Sequence, residues 1–213
     1  MKLLVVTTFS LLHLFSCQKK IELASEAPAG LSGSWNLKES CKKISSSYVK
    51  MKQNFTQTTF DQTANVFTDS SCLVPSVTLA LSGNYAISNV TVSISEEHGN
   101  LDSTLLSYLL TPNSSSMVSS YNSTVYCGFT NWQLGVAKNV LGLTCAGYVM
   151  PSAGAVEFNF YTKANQAYFS PIFPGSTPVV SGDLYFGTSD STHDGKSASQ
   201  RYVVGDLSYI YVK

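Results

Sequence analysis

Along much of this chain apolar and polar residues alternate one by one. In residues 48–60 (YVKMKQNFTQTTF), Lys50, Lys52, Asn54, Thr56 and Thr58 fall on one face, and Val49, Met51 and Phe55 on the other. Period two marks a half-buried strand, because successive side chains point to opposite faces of a sheet. Residues 85–96 repeat the pattern, with Val90, Val92 and Ile94 opposite Thr91, Ser93 and Ser95. Residues 156–163 repeat it again. There the pattern predicts Val156, Phe158 and Phe160 facing in and Glu157, Asn159 and Lys163 facing out. Further strands are predicted at 34–40, 64–69, 77–82, 125–134, 142–149, 166–170, 182–187 and 202–212. Short strands in series, separated by turn residues, predict an all-β sandwich or barrel.

One segment reads as a helix. In LDSTLLSYLL, Leu101, Leu105, Tyr108 and Leu109 share a helical face, Asn100 stands where a cap belongs, and Pro112 lies just beyond. Residues 111–124 and 188–200 are polar and read as loops. Residues 18–30 (QKKIELASEAPAG) lack periodicity and carry Pro28 and Gly30, so they read as a tether, with the folded domain over 31–213.

The chain has 213 residues, 12% of them charged, with zero net charge. That fits a single domain with a sizeable core. No basic stripe is present to neutralise phosphates, so nucleic acid is not an expected partner.

The first 16 residues have the parts of an export signal: Lys2, then an apolar run from Leu3 to Phe15. The run is shorter than the roughly 20 residues a spanning helix needs. Leu14 at −3 is too bulky for ordinary signal peptidase. Leu14, Ser16 and Cys17 instead resemble the bacterial lipobox, which implies diacylation of the Cys17 thiol. A single acyl chain binds only marginally and two or three hold firmly, so the expected partner is a membrane, reached through N-terminal acyl chains. The resemblance implies a lipoprotein of the bacterial cell envelope, at the outer membrane, with a plain secreted protein as the alternative. With Cys17 acylated, Cys41, Cys72, Cys127 and Cys145 remain. An oxidising compartment favours their pairing, and four cysteines allow three connectivities. The sequential one, Cys41–Cys72 and Cys127–Cys145, closes modest loops between neighbouring strands and is favoured.

Gly33-Ser34-Trp35 opens the first strand directly after the tether. It resembles the GxW signature of lipocalin-type barrels. Cys41, Phe67-Thr68-Asp69-Ser70-Ser71-Cys72, Cys127-Gly128 with Trp132, Cys145-Ala146-Gly147, Leu184-Tyr185-Phe186-Gly187, Arg201-Tyr202 and the closing Tyr209-Ile210-Tyr211-Val212-Lys213 follow in order. This order is similar to that of a group of lipocalin-like bacterial lipoproteins, and more faintly to the extracellular domain of animal APC-down-regulated proteins. The resemblance implies one antiparallel barrel of about 8–10 strands. It implies that Gly33 and Trp35 close one end, with Arg201 packed on the tryptophan as a cation–π partner. The lipocalin Thr-Asp-Tyr triplet is not reproduced, because Ser70 follows Thr68-Asp69.

The sequence offers little for catalysis. Ser189, Asp190 and His193 could be assembled into a triad, but they crowd one polar loop and no GxSxG elbow is present. Asp190 to Gly195 imitates the start of a calcium loop, but Arg201 occupies the position of the bidentate glutamate. No metal, cofactor or enzymatic activity is therefore expected. What remains is the inward stripe. Met51, Phe55, Phe158 and Phe160 are the candidate lining of a ligand cavity, and Gln53 on the face of Met51 and Phe55 suits a cavity better than a dry core. The function expected is binding of a small apolar or amphipathic ligand. The alternative is a structural or protein-interaction lipoprotein with a filled core.

Overall fold

The alternating segments close into a ring. The computed structural model describes residues 31–167 and 178–213. Cys17, the leader and the tether lie outside the described residues, as does part of the strand expected at 166–170. Eight strands form the barrel: β1 (Gly33–Leu37), β2 (Ser47–Phe55), β3 (Thr59–Phe67), β4 (Pro75–Val92), β5 (Glu96–Pro112), β6 (Val156–Ala164), β7 (Leu184–Thr188) and β8 (Tyr211–Val212). From β2 to β8 each strand pairs antiparallel with the next. β8 then pairs with β1, and β1 with β2, so no edge of the ring is left open.

The inner faces build the core in two places. Trp35, Leu37, Phe55, Tyr85, Ile87, Leu101, Tyr161, Leu184 and Tyr211 pack together inside one end of the barrel. The second cluster depends on the length of β4 and β5, which run 18 and 17 residues. Their far halves carry Val77 and Leu110, and the chain between β5 and β6 folds down over these residues. That insert, residues 113–155, holds α1 (Ser115–Ser123) and buries Tyr121, Trp132, Val140 and both sulfurs of the second disulfide. Disulfides join Cys41 to Cys72 and Cys127 to Cys145, the pairs that sequence order favours.

Several expectations are corrected. Residues 101–110 are not helical but the middle of β5. The register shifts there, with Ser82 opposite Ser107 and Gly83 opposite Leu105, so Leu106 is a bulged extra residue. The bulge breaks the alternation, and Leu101, Leu105 and Tyr108 then carry the spacing of a helix while all facing the same side of a strand. The helix lies instead in the expected loop 111–124. Ser114 caps it, its hydroxyl accepting from the Met117 amide at 3.3 Å. Residues 125–134 form no strand, because Val125, Cys127 and Gly128 all adopt left-handed φ values (53°, 51° and 80°) and the backbone turns. Within 142–149 only Thr144–Cys145 and Tyr148–Val149 pair, as a two-stranded ribbon. Within 202–212 only Val204–Gly205 and Tyr211–Val212 are strand.

A candidate ligand-binding cavity

Between the Trp35 cluster and the insert the barrel is hollow. The space measures about 730 Å³, within the range of sites that take small molecules. β2 brings Met51, Gln53 and Phe55 to its wall, as its alternation predicts. β3 adds Phe60 and Gln62, opposite Gly83 and Leu81 of β4. Gly83 is required here: a Cβ would come within 2.1 Å of the Thr104 carbonyl oxygen and 2.8 Å of the Phe60 ring.

Val156, predicted to face in, lines the cavity at the start of β6, but beyond it β6 enters with the face opposite to the one predicted. Glu157 and Asn159 line the wall, beside Ser103 and Leu101 of β5. Phe158 and Phe160 point outward and are removed from the cavity lining. They are not left in water. Phe160 is 6% exposed and lies 5.2 Å from the His98 ring. Phe158 is covered by the loop after β7, whose Gly195 carbonyl accepts from the Phe158 amide at 2.8 Å. The Tyr202 amide donates to the Phe158 carbonyl at 3.2 Å. The loop thus stands in for a ninth strand at this point. One face of β6 is covered by protein and the other lines the cavity, so neither faces bulk solvent along its whole length and alternation could not say which points in.

Arg201 belongs to that loop and does not pack on Trp35. Its guanidinium lies 5.5 Å from the Phe158 ring centre, donates to the Asn159 carbonyl at 2.5 Å, and stands 2.6 Å from an Asp102 oxygen as an ion pair without aligned hydrogen-bond geometry. It pins the loop to the outside of the barrel. The cation over Trp35 is Lys213, 4.9 Å from the ring centre. Trp35 itself is 0% exposed, and its indole N–H donates to the Leu31 carbonyl at 2.7 Å. Gly33, at φ 114°, lets the chain enter β1 beside the Lys213 side chain.

Pinning the loop from outside delivers Tyr202 and Asp194 to the cavity from the inside. Gly195, at φ 71°, lies under the Tyr202 ring, where a Cβ would meet ring carbons at 2.8 Å. The Tyr202 hydroxyl donates to the Glu157 carboxylate. Glu157 keeps accessible surface because it faces the open cavity, while protein surrounds its other sides. That desolvation holds its carboxyl above the ordinary range, against the lowering effect of the Tyr202 hydrogen bond. Burial, then the charge of Glu157, pushes the Tyr202 phenol up to about 12. Opposite, burial pushes the Tyr211 phenol to about 12, with the Gln53 side chain hydrogen-bonded to it.

Of the triad residues, Asp190 and His193 meet, but in a turn away from the cavity lining. Asp190 accepts from the amides of Thr192 and His193 at 2.7 and 2.8 Å, and the His193 ring lies 3.0 Å from its carboxylate. This is a local turn in the exposed part of the loop. Its hydrogen bonds, that of the Thr192 amide first, hold the Asp190 carboxyl below the usual range. Among the described residues no cluster of His, Cys, Asp and Glu could hold a metal.

The fold and its hollow interior define a closed, lipocalin-like β-barrel with room for a small molecule. No family model and no curated protein matches the chain.

Proposed function

We propose that this protein is an exported, lipid-anchored protein of the bacterial envelope that binds a small apolar or amphipathic ligand inside its barrel. The observation that carries the binding half is the cavity of about 730 Å³ lined by Met51, Phe55, Phe60 and Leu101. A filled core, as the structural alternative requires, would have placed side chains across that space. Mixed lining supports an amphipathic occupant, since Gln53, Ser103 and Glu157 interrupt the apolar wall. The paired disulfides support an oxidising compartment, and the resemblance of Leu14 to Cys17 to a lipobox supports the anchor.

Native mass spectrometry of protein from its own membranes tests the reading. The protein is expected to carry an adduct of a few hundred daltons. Ser103→Phe, which fills the wall opposite Glu157, should lose it while keeping the fold. Clean apo protein from the native source would count against binding. In the same preparation Cys17→Ser should leave the membrane fraction, and unchanged retention would sink the anchor.

A further inference from the structure

The polar part of the cavity wall is acidic, and that restricts what can occupy it. The charged residues of the lining are Glu157, Asp194, Lys196 and Asp206. Lys196 is spent on Asp194, 3.0 Å away, with its side chain 82% exposed. Glu157 has no ion-pair partner among the described residues. The Tyr202 hydroxyl donates a hydrogen bond to it but brings no positive charge. Asp206 accepts from the Ser208 amide at 2.9 Å and is likewise without a cation. A carboxylate drawn partly out of water without a counter-charge is unfavourable, and a cation placed beside it removes that cost. Aromatic faces in the lining add to this, with Tyr202 beside Glu157 and Tyr209 and Tyr211 toward Asp206. Phe186, Tyr202, Tyr209 and Tyr211 all reach the lining, and ring faces attract cations. The apolar wall of Met51, Phe55, Phe60 and Leu101 lies within the same cavity.

We propose that the cavity selects amphipathic cations, molecules with an ammonium or similar head and an apolar body, and discriminates against anionic amphiphiles such as fatty acids. The head sits against Glu157 and the aromatic rings. The body lies along the methionine, phenylalanine and leucine wall. An amine head donates to the carboxylate, whereas a carboxylate head would face Glu157 and Asp206 with like charge. This rests on the cavity-binding reading above and adds the sign of the ligand's charge.

The test uses the purified protein loaded with N-phenyl-1-naphthylamine, an uncharged apolar dye whose fluorescence rises in a dry site. Decylamine, decanol and decanoate are compared as displacers below their micellar concentrations at neutral pH. Decylamine is expected to displace the dye at about one tenth the concentration that decanoate needs. In Glu157→Gln the amine and the carboxylate should come within about threefold of each other. Equal displacement by decylamine and decanoate from the wild-type protein, or preference for decanoate, would overturn the charge selection and leave the cavity reading standing. No uptake of the dye by the wild-type protein would overturn both. The wild-type comparison decides the matter even where the variant does not fold.

Discussion

The protein buries two tryptophans in much the same way and in different kinds of structure. Trp35 is 0% exposed, Trp132 2%. Each indole N–H donates to a main-chain carbonyl a few residues earlier, of Leu31 at 2.7 Å and of Tyr126 at 3.1 Å. Each ring has a lysine over it, Lys213 at 4.9 Å and Lys138 at 5.6 Å. The difference lies in where the neighbours come from. Around Trp35 stand residues from all round the barrel, including Phe55, Tyr161, Leu184 and Tyr211. Around Trp132 stand Tyr121, Tyr126 and Phe129, all within eleven residues of it. The Asn122 amide also clamps its backbone, accepting from the Trp132 N–H at 2.6 Å and donating to its carbonyl at 3.1 Å. A tryptophan can therefore be a keystone of the whole ring or the centre of a local knot. Only the first couples the closure of the barrel to its burial.

The largest effect that would break this contrast is expected from the tryptophans themselves. Trp35→Ala should destabilise the whole fold by about 3–5 kcal/mol in denaturant titration, as removal of a large buried aromatic does. Trp132→Ala should open the insert while the barrel stays folded, seen as lost amide protection over 113–150 and retained protection in β2 and β3. Equal global loss in both variants would erase the distinction.

The disulfides sharpen it at the next level. Cys41–Cys72 spans 31 residues and Cys127–Cys145 spans 18, so chain-entropy arguments assign each about 3–4 kcal/mol. Replacing the first pair by alanines should lower the midpoint of barrel unfolding. Replacing the second should free the insert first, giving an early transition in Tyr and Trp signals ahead of the barrel.

The smallest effect concerns the cations. Lys213→Ala should cost about 0.5–1 kcal/mol at its exposed site and shift the emission of Trp35. Arg201→Ala should leave Trp35 emission unchanged and instead loosen the loop that presents Tyr202. A reversed result would return Arg201 to the barrel-closing role implied by the lipocalin resemblance.

The barrel and one wall of the cavity were legible because they depend on clean local patterns. β2 alternates without interruption, so Met51 and Phe55 could be placed, and Gly33-Ser34-Trp35 sits where a first strand must begin. The alternation of β6 predicts Glu157 facing out, as a charged residue normally seeks water. Here its carboxylate faces the cavity instead. The insert's first turn is unmarked as well, since Val125 and Cys127 take left-handed conformations that are usually signalled by glycine. The packing of Lys213 on Trp35 depends on how β8 closes onto β1, a register that no short motif encodes. The bulge at Leu106 hid a strand behind helical spacing.

That bulged hairpin has a kinetic consequence. β4 and β5 are joined by the turn Ser93-Ile94-Ser95, tied by the Ser93 amide donating to the Glu96 carbonyl at 2.8 Å. The longest ladder among the described residues is therefore built from sequence neighbours, with a loop of only three residues to close. Ile87 and Leu101 near its turn belong to one hydrophobic cluster, and Val77 and Leu110 at its far end to the other. A chain emerging N-terminus first can form this ribbon before β7 and β8 arrive. Both clusters then condense on a template already in register, and only the final seam between β8 and β1 must wait for the C-terminus.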